Sequence, residues 1–104
     1  MEERIRPRYV ISIAAEMLGV RTHTLRYYER VGIIKPYRSQ GRIRLYSESD
    51  IERLRRVKTL MADLGVNIAG IEVILNLLER MAELQATNAQ LISEMERLSK
   101  EQME

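Results

Sequence analysis

The sequence contains no cysteine, no phenylalanine and no tryptophan. Without cysteine there is no disulfide framework, no thiolate metal site and no cysteine nucleophile, which suits a reducing compartment such as the cytoplasm. Without phenylalanine or tryptophan, a core has to be assembled from Ile, Leu, Val, Met and Tyr. A chain of 104 residues has room for one small domain plus an extended element, with modest stability. Long apolar runs are also missing. The opening MEERIRPRY has no signal-peptide character, and the longest apolar candidate, Ile68 to Leu78, is broken by Glu72 and Asn76. It falls well short of the ~20 residues of a membrane span, so none is expected.

Histidine is scarce too. His23 stands alone and, with no second histidine and no cysteine, builds no typical zinc site. There are no paired carboxylates in an apolar setting, no serine or threonine with a plausible catalytic partner, and no phosphate-cradling glycine loop. The expectation is a protein without enzymatic activity, metal or cofactor.

What is present is charge, unevenly spread. Residues 1–66 carry 14 Lys/Arg against 8 Asp/Glu, whereas residues 67–104 carry 3 against 7, giving the net +2. A basic front half suits a polyanion, most often nucleic acid, although basic faces are also common as plain solvated surface.

Along the chain, Tyr9-Val10-Ile11 is a short extended lead-in. Ser12 is placed to cap a helix with apolar positions Ile13, Ala14, Met17 and Leu18, and Gly19 stops it with a positive φ. A second helix starts within Arg21–Thr22 and runs to about Val31, where Gly32 ends it. Two short helices around a glycine turn have the helix-turn-helix outline, shared by many helical corners. Pro36 blocks further helix. From Lys35 to Tyr46 the sequence reads as a small hairpin with Gly41 at its turn. Alternation puts Ile43 and Leu45 on one face and Arg42, Arg44 and Tyr46 on the other. Ser47 and Asp50 form a capping pattern for a third helix. Its stripe is Ile51, Leu54, Val57, Met61 and Leu64, and Gly65 closes it. Asn67 stands where a cap belongs for the next helix.

Beyond Gly70 the chain has neither proline nor glycine. Ile74, Leu77, Met81, Leu84, Asn88, Leu91, Met95 and Leu98 recur at alternating steps of three and four, an a/d heptad seam. Such a stripe predicts a coiled-coil dimer or, failing that, a helix folded back on its own domain. Asn88 at an a position favours a parallel pair by matching asparagine to asparagine. An antiparallel pair crossing near Asn88 is equally compatible, matching Met81 with Leu98 and Leu84 with Met95.

Placed at ~100° per residue, the second helix divides cleanly. Thr24, Leu25, Tyr28 and Val31 form a packing stripe. Thr22, His23, Arg26 and Arg30 lie opposite, with Glu29 at one edge and Tyr27 at the other. Arg26 suits a guanine edge or a phosphate, and Arg21, Thr22 and His23 lie at the end a recognition helix offers to bases. An exposed histidine with no role is the competing reading of His23. Tyr28 reads as packing and Tyr27 as the better candidate for a DNA contact.

These pieces, in order, resemble the MerR family of winged-helix regulators: the run TLRYYERVGII, then Pro36-x-Arg38, Arg44-Leu45-Tyr46-Ser47 and Asp50-Ile51. The resemblance covers roughly residues 9–81. It implies a mainly α fold: a helix-turn-helix at 12–31, a wing at 35–46, a second helix pair at 47–80, and a homodimer joined through an antiparallel coiled coil. The implied organisation is a flexible arm over 1–8, a DNA-binding domain over 9–80, and a dimerisation helix over 81–104 with its seam starting near 74. Each subunit of such a dimer reads one half of an inverted repeat in double-stranded DNA. By position, Arg26 and Tyr27 of the recognition helix and Arg38 and Arg42 of the wing are the implied contacts. Arg44 either joins them or pairs with Glu29 to hold the wing on the helix. Within the family, YVISIAAEMLGV and GVNIAGI are most similar to the heat-shock repressors called HspR, which implies repression of chaperone operons with a DnaK-type chaperone as co-repressor. A GlnR-like nitrogen regulator is the alternative, and Arg21-Thr22-His23 and Arg26-Tyr27-Tyr28 follow the general family rather than HspR. Metal-sensing relatives carry cysteines near the dimerisation helix, and drug-sensing relatives append a large ligand domain. Neither is expected here, so control falls to a partner protein or is constitutive. The competing reading from another class is a coiled-coil protein-interaction module whose basic face is incidental.

Overall fold

The computed structural model describes residues 2–103. The chain divides into two compact units, Met1–Asn67 and Ile68–Glu104. In the first unit a single turn of 3-10 helix, Glu3–Ile5, leads into strand β1 (Tyr9–Val10). Helices α1 (Ile11–Leu18) and α2 (Thr22–Arg30) follow, then strands β2 (Tyr37–Arg38) and β3 (Arg44–Tyr46), then α3 (Glu48–Lys58) and a π-helical turn, Thr59–Asp63. The second unit is one helix, α4 (Ile68–Met103).

The lead-in is more structured than its sequence suggests. β1 pairs antiparallel with β3, Tyr9 opposite Tyr46, so the hairpin becomes a three-stranded sheet in the order β1-β3-β2. The Arg8 amide adds a bond to the Tyr46 carbonyl. Arg4 pairs with Glu52, and the Tyr9 hydroxyl donates to Glu48, both on α3. This strand pairing also moves the start of α1. Val10, held extended, is the N-cap residue and no side chain caps the helix. Ser12 therefore lies inside the first turn, not at the cap.

Gly19 ends α1 at φ +68°, and the Val20 amide reaches back to the Ala15 carbonyl, a left-handed cap. The Leu18 carbonyl at this negative helix end accepts from Lys58 Nζ at 2.9 Å. α2 buries Leu25 and Tyr28, as the angular reading requires. Gly32 turns the chain at φ +86°, and Ile33, Ile34 and Pro36 are buried behind it.

Gly41 lies in the hairpin turn, as its sequence suggests, and the left-handed residue beside it is Arg42, at φ +65°. Ser39 holds it there: its carbonyl accepts from the Arg42 amide at 2.8 Å, and its hydroxyl accepts from the Ile43 amide at 3.1 Å. The strand proper begins only at Arg44. Tyr46 is fully buried while Ile43 is exposed, so the inward face is the Arg44/Tyr46 face.

α3 starts with the expected reciprocal cap: the Asp50 amide donates to Ser47 Oγ, and the Ser47 amide to Asp50 Oδ2 at 2.9 Å. Ile51, Leu54 and Val57 are buried. The stripe does not continue to Leu64. In the π-helical turn the Leu64 amide bonds the Thr59 carbonyl five residues back, and each such step shifts the helical phase. Leu64 is accordingly exposed. The core of this unit is thus Leu18, Leu25, Ile33, Tyr46, Ile51, Leu54 and Val57 with Ala14 between helices.

α4 starts directly after Asn67 and runs 36 residues without a break, about 54 Å at 1.5 Å per residue. Ile71 and Leu75 are buried near its start. Every described residue from 79 onward is exposed, so most of the heptad seam lies bare. None of the described helices is long and apolar enough to cross a membrane.

Candidate nucleic-acid interface

The exposed side of α2 carries Arg21 at the N-cap, then His23, Arg26, Tyr27 and Arg30. Thr22 is half-buried and accepts a long hydrogen bond from Arg26 Nη1 at 3.4 Å, which steers that guanidinium toward the start of the helix. Arg30 stacks over the Tyr27 ring, 5.5 Å from its centre. The Tyr27 and Tyr28 rings lie 6.0 Å apart and tilted by 50°. One tyrosine is packed and its neighbour is held against it with an edge in solvent. Burial pushes the Tyr28 phenol above its ordinary range, with the neighbouring Tyr27 adding to the shift.

Glu29 joins this helix to the hairpin. Its carboxylate receives Arg38 Nη2 at 2.9 Å on one oxygen and Arg44 Nε on the other. Arg38 also donates through Nη1 to the Arg42 carbonyl at 3.2 Å, bracing the left-handed turn. All three side chains are partly buried. Burial works against the carboxylate's charge, but the hydrogen bonds and charges of Arg44 and Arg38 outweigh it and hold its pKa below the ordinary value. Arg44 thus takes the Glu29 alternative. Arg38 joins it there, which spacing alone did not foretell. Arg42, whose backbone is braced by this pair, is exposed at the wing tip.

Sequence reasoning missed several further supports. Arg53 Nε donates to the Ile33 carbonyl at 2.9 Å, and Lys58 occupies the end of α1 as described, so two cations of α3 serve the fold. The only signal for either is a cation on the helix face adjoining the apolar stripe. Tyr46 is buried with its hydroxyl lacking a hydrogen-bond partner among the described residues. Burial first, then the nearby Glu29 charge, pushes that phenol up. Among the described residues no cluster of three His, Cys, Asp or Glu could hold a metal ion.

The expected coiled-coil residues lie along α4. Leu77, Met81, Leu84, Leu91, Met95 and Leu98 are each at least half exposed, Asn88 is exposed among them, and Ile74 is half-buried.

Comparison with known proteins bears on this arrangement. Among curated proteins, the heat shock protein HspR of Streptomyces coelicolor is 51% identical over 85 residues, covering 82% of this chain and 56% of that protein. The regulator GlnR of Bacillus anthracis is 33% identical over 82 residues, covering 79% of this chain and 63% of the relative. The chain therefore spans less than two thirds of the length of these relatives. Among solved structures, a MerR-family regulator from Bacillus cereus matches with TM-score 0.62 and 26% identity over 88% of this chain and 72% of that one. HiNmlR, a MerR-family regulator lacking the sensor domain and bound to promoter DNA, shares the fold at TM-score 0.63 and 20% identity, with 88% and 76% covered. The profile of the family described as MerR HTH family regulatory protein matches residues 9–78. With that match over most of its length, the chain belongs to the MerR family of helix-turn-helix transcriptional regulators.

Proposed function

We propose that this chain acts in the cytoplasm as a dimeric, sequence-specific repressor that binds an inverted repeat in double-stranded DNA, one half-site per subunit. The observation that carries the reading is the Glu29 clamp. One carboxylate on α2 takes a guanidinium from each of the two wing strands, so helix and wing move as one body. A surface that must fit two neighbouring stretches of a duplex needs that rigidity. On this body Arg26, Tyr27, Arg30 and Arg42 are exposed and supply base and phosphate contacts, with Arg21, Thr22 and His23 at the leading end of the helix. Arg38 and Arg44 act mainly by holding the wing. The domain contacts DNA through residues 9–80, and the seam from Ile74 to Leu98 joins two copies.

The likeness to HspR supports chaperone operons as the targets and a DnaK-type chaperone as co-repressor. A footprint on a chaperone promoter and on the chain's own promoter, with and without that chaperone, tests this. Protection of an inverted repeat, extended or strengthened by the chaperone, is expected. Selective protection of nitrogen-assimilation promoters instead would favour a GlnR-like role, the reading the second relative supports. No sequence-selective protection at moderate salt would overturn the DNA-binding assignment.

A further inference from the structure

We infer that the face of the sheet turned away from α2 is a docking groove for an acidic peptide segment of a partner protein, one that presents a large apolar side chain flanked by carboxylates. The inference stands apart from the DNA-binding reading, because no residue of the groove belongs to the exposed side of α2.

The groove follows from the alternation of side chains along the strands. Arg38 and Arg44 turn toward Glu29 of α2. Tyr37 and Leu45, opposite each other in the register, therefore turn to the other side. Val10 is set against Leu45 from β1, which gives an apolar row across all three strands. Tyr37 is 55% exposed, and so is Ile5, which lines the same groove. The groove has a volume of about 1050 Å³. Its walls are fixed in advance. One is Ile5-Arg6-Pro7, held at its two ends by the Arg4 pair with Glu52 and by the Arg8 amide bond to the Tyr46 carbonyl. The other is Lys35-Pro36-Tyr37. A proline locks φ in each wall, so little backbone has to be ordered when a ligand arrives. Arg38 adds its aliphatic stem, since its guanidinium is taken by Glu29 and the Arg42 carbonyl.

The charge of the rim chooses the occupant. Lys35 is exposed and makes no ion pair among the described residues. Arg6 is exposed too, and its contact with Glu3 is loose, at 3.9 Å. The one carboxylate in the lining, Asp50, already accepts the Ser47 amide in the α3 cap. Two spare cations over an apolar floor suit a ligand that is acidic and apolar at once. Duplex DNA offers anions but nothing for the floor. A second copy of this basic unit would set cations against cations, and a small anion would leave most of the apolar lining wet. A peptide segment meets both demands. Because the groove lies on the sheet face opposite Glu29, its occupant leaves Arg26 and Tyr27 uncovered.

A random dodecapeptide library displayed on phage, panned on the immobilised full chain and counter-selected on its Lys35→Glu variant, tests this. Enrichment of sequences rich in Asp and Glu around an aromatic or aliphatic residue is expected. The enriched peptide, labelled with fluorescein, should bind the parent by anisotropy and lose about tenfold or more in affinity to Lys35→Glu and to Tyr37→Ala. Arg26→Ala should bind it as the parent does. Both groove side chains are exposed, so the melting temperature should hold. Should Tyr37→Ala prove unstable, Lys35→Glu carries the test alone. No enrichment over the variant, enrichment of neutral or basic sequences, or an equal loss through Arg26→Ala overturns the groove. Lys35→Ala should also cost less affinity for duplex DNA than Arg42→Ala. An equal or greater cost would make the rim part of the DNA surface and overturn the proposal. A chain that binds no DNA would overturn the regulator reading and leave the peptide measurement to decide this one.

Discussion

Tyr27 and Tyr28 are adjacent in sequence and opposite in circumstance, and the difference is worth testing by substitution. Tyr28 is 6% exposed, so Tyr28→Ala should lower unfolding free energy by about 3 kcal/mol, as for other large aromatic truncations. Tyr27→Ala should cost under about 1 kcal/mol of stability and instead weaken DNA binding. Denaturant titration and a mobility shift on the two variants separate these outcomes. Arg26→Ala should leave stability nearly unchanged, cost about 1–3 kcal/mol of operator binding and relax base preference. Equal affinity of parent and variant would show that the recognition face has been misassigned. Glu29 supplies a pH dependence with a definite sign. Its folded pKa lies below its unfolded value. Its contribution to stability is therefore full above the ordinary glutamate pKa of about 4.3 and is lost as pH falls through the lower folded value. Glu29→Gln should be less stable than the parent at neutral pH. The gap should close on acidification through that window, which thermal melts between neutral and strongly acid pH would track.

Among elements, the glycine turn between α1 and α2 is the most exacting. Gly19 sits at φ +68°, and a Cβ there would lie 3.1 Å from Lys58 Nζ. Gly19→Ala should cost about 1–2 kcal/mol through left-handed strain, with the lysine amine yielding by a few tenths of an ångström. A lowered melting temperature at unchanged far-ultraviolet dichroism is the expected result. Helical elements were the legible ones. α2 has nine residues, enough for its 3.6-residue period to divide Leu25 and Tyr28 from Arg26 and Arg30. The α3 cap was equally readable, because Ser47 and Asp50 carry the mechanism in their side chains. Two-residue strands have no period, which is why β1 read only as an extended lead-in and why the inward turn of Tyr46 was not foreseen. Arg38 belongs to such a strand, and its place on Glu29 depends on the tertiary approach of wing to helix. The π-helical turn was illegible for a related reason. TLMAD, from Thr59 to Asp63, contains nothing that forbids an ordinary helix, and the extra residue in the turn displaces Leu64 without leaving a mark on composition.

At the scale of the whole molecule, charge separates the two units: the basic residues concentrate before residue 67 and the acidic excess after it. The logarithm of operator affinity should fall linearly with the logarithm of salt concentration, with a slope of about 0.9 per phosphate neutralised. Arg42→Ala should reduce that slope by about one without changing base preference. A titration at several salt concentrations reads both numbers.

The bare length of α4 has a further consequence, for folding cooperativity. Helices without tertiary support are marginal in water, and the described residues from 79 onward are all exposed within the chain. In the proposed dimer their order is supplied by association, and mass action governs it. On dilution below the dimer dissociation constant, backbone amides in this segment should lose their protection from hydrogen exchange while those around Leu25, Tyr46 and Leu54 keep theirs. Melting should resolve into two transitions, one fixed and one that climbs with protein concentration. The same polypeptide would then hold one half folded on its own account and one half folded only in company, with the cell's concentration of the protein deciding how much of the helix exists.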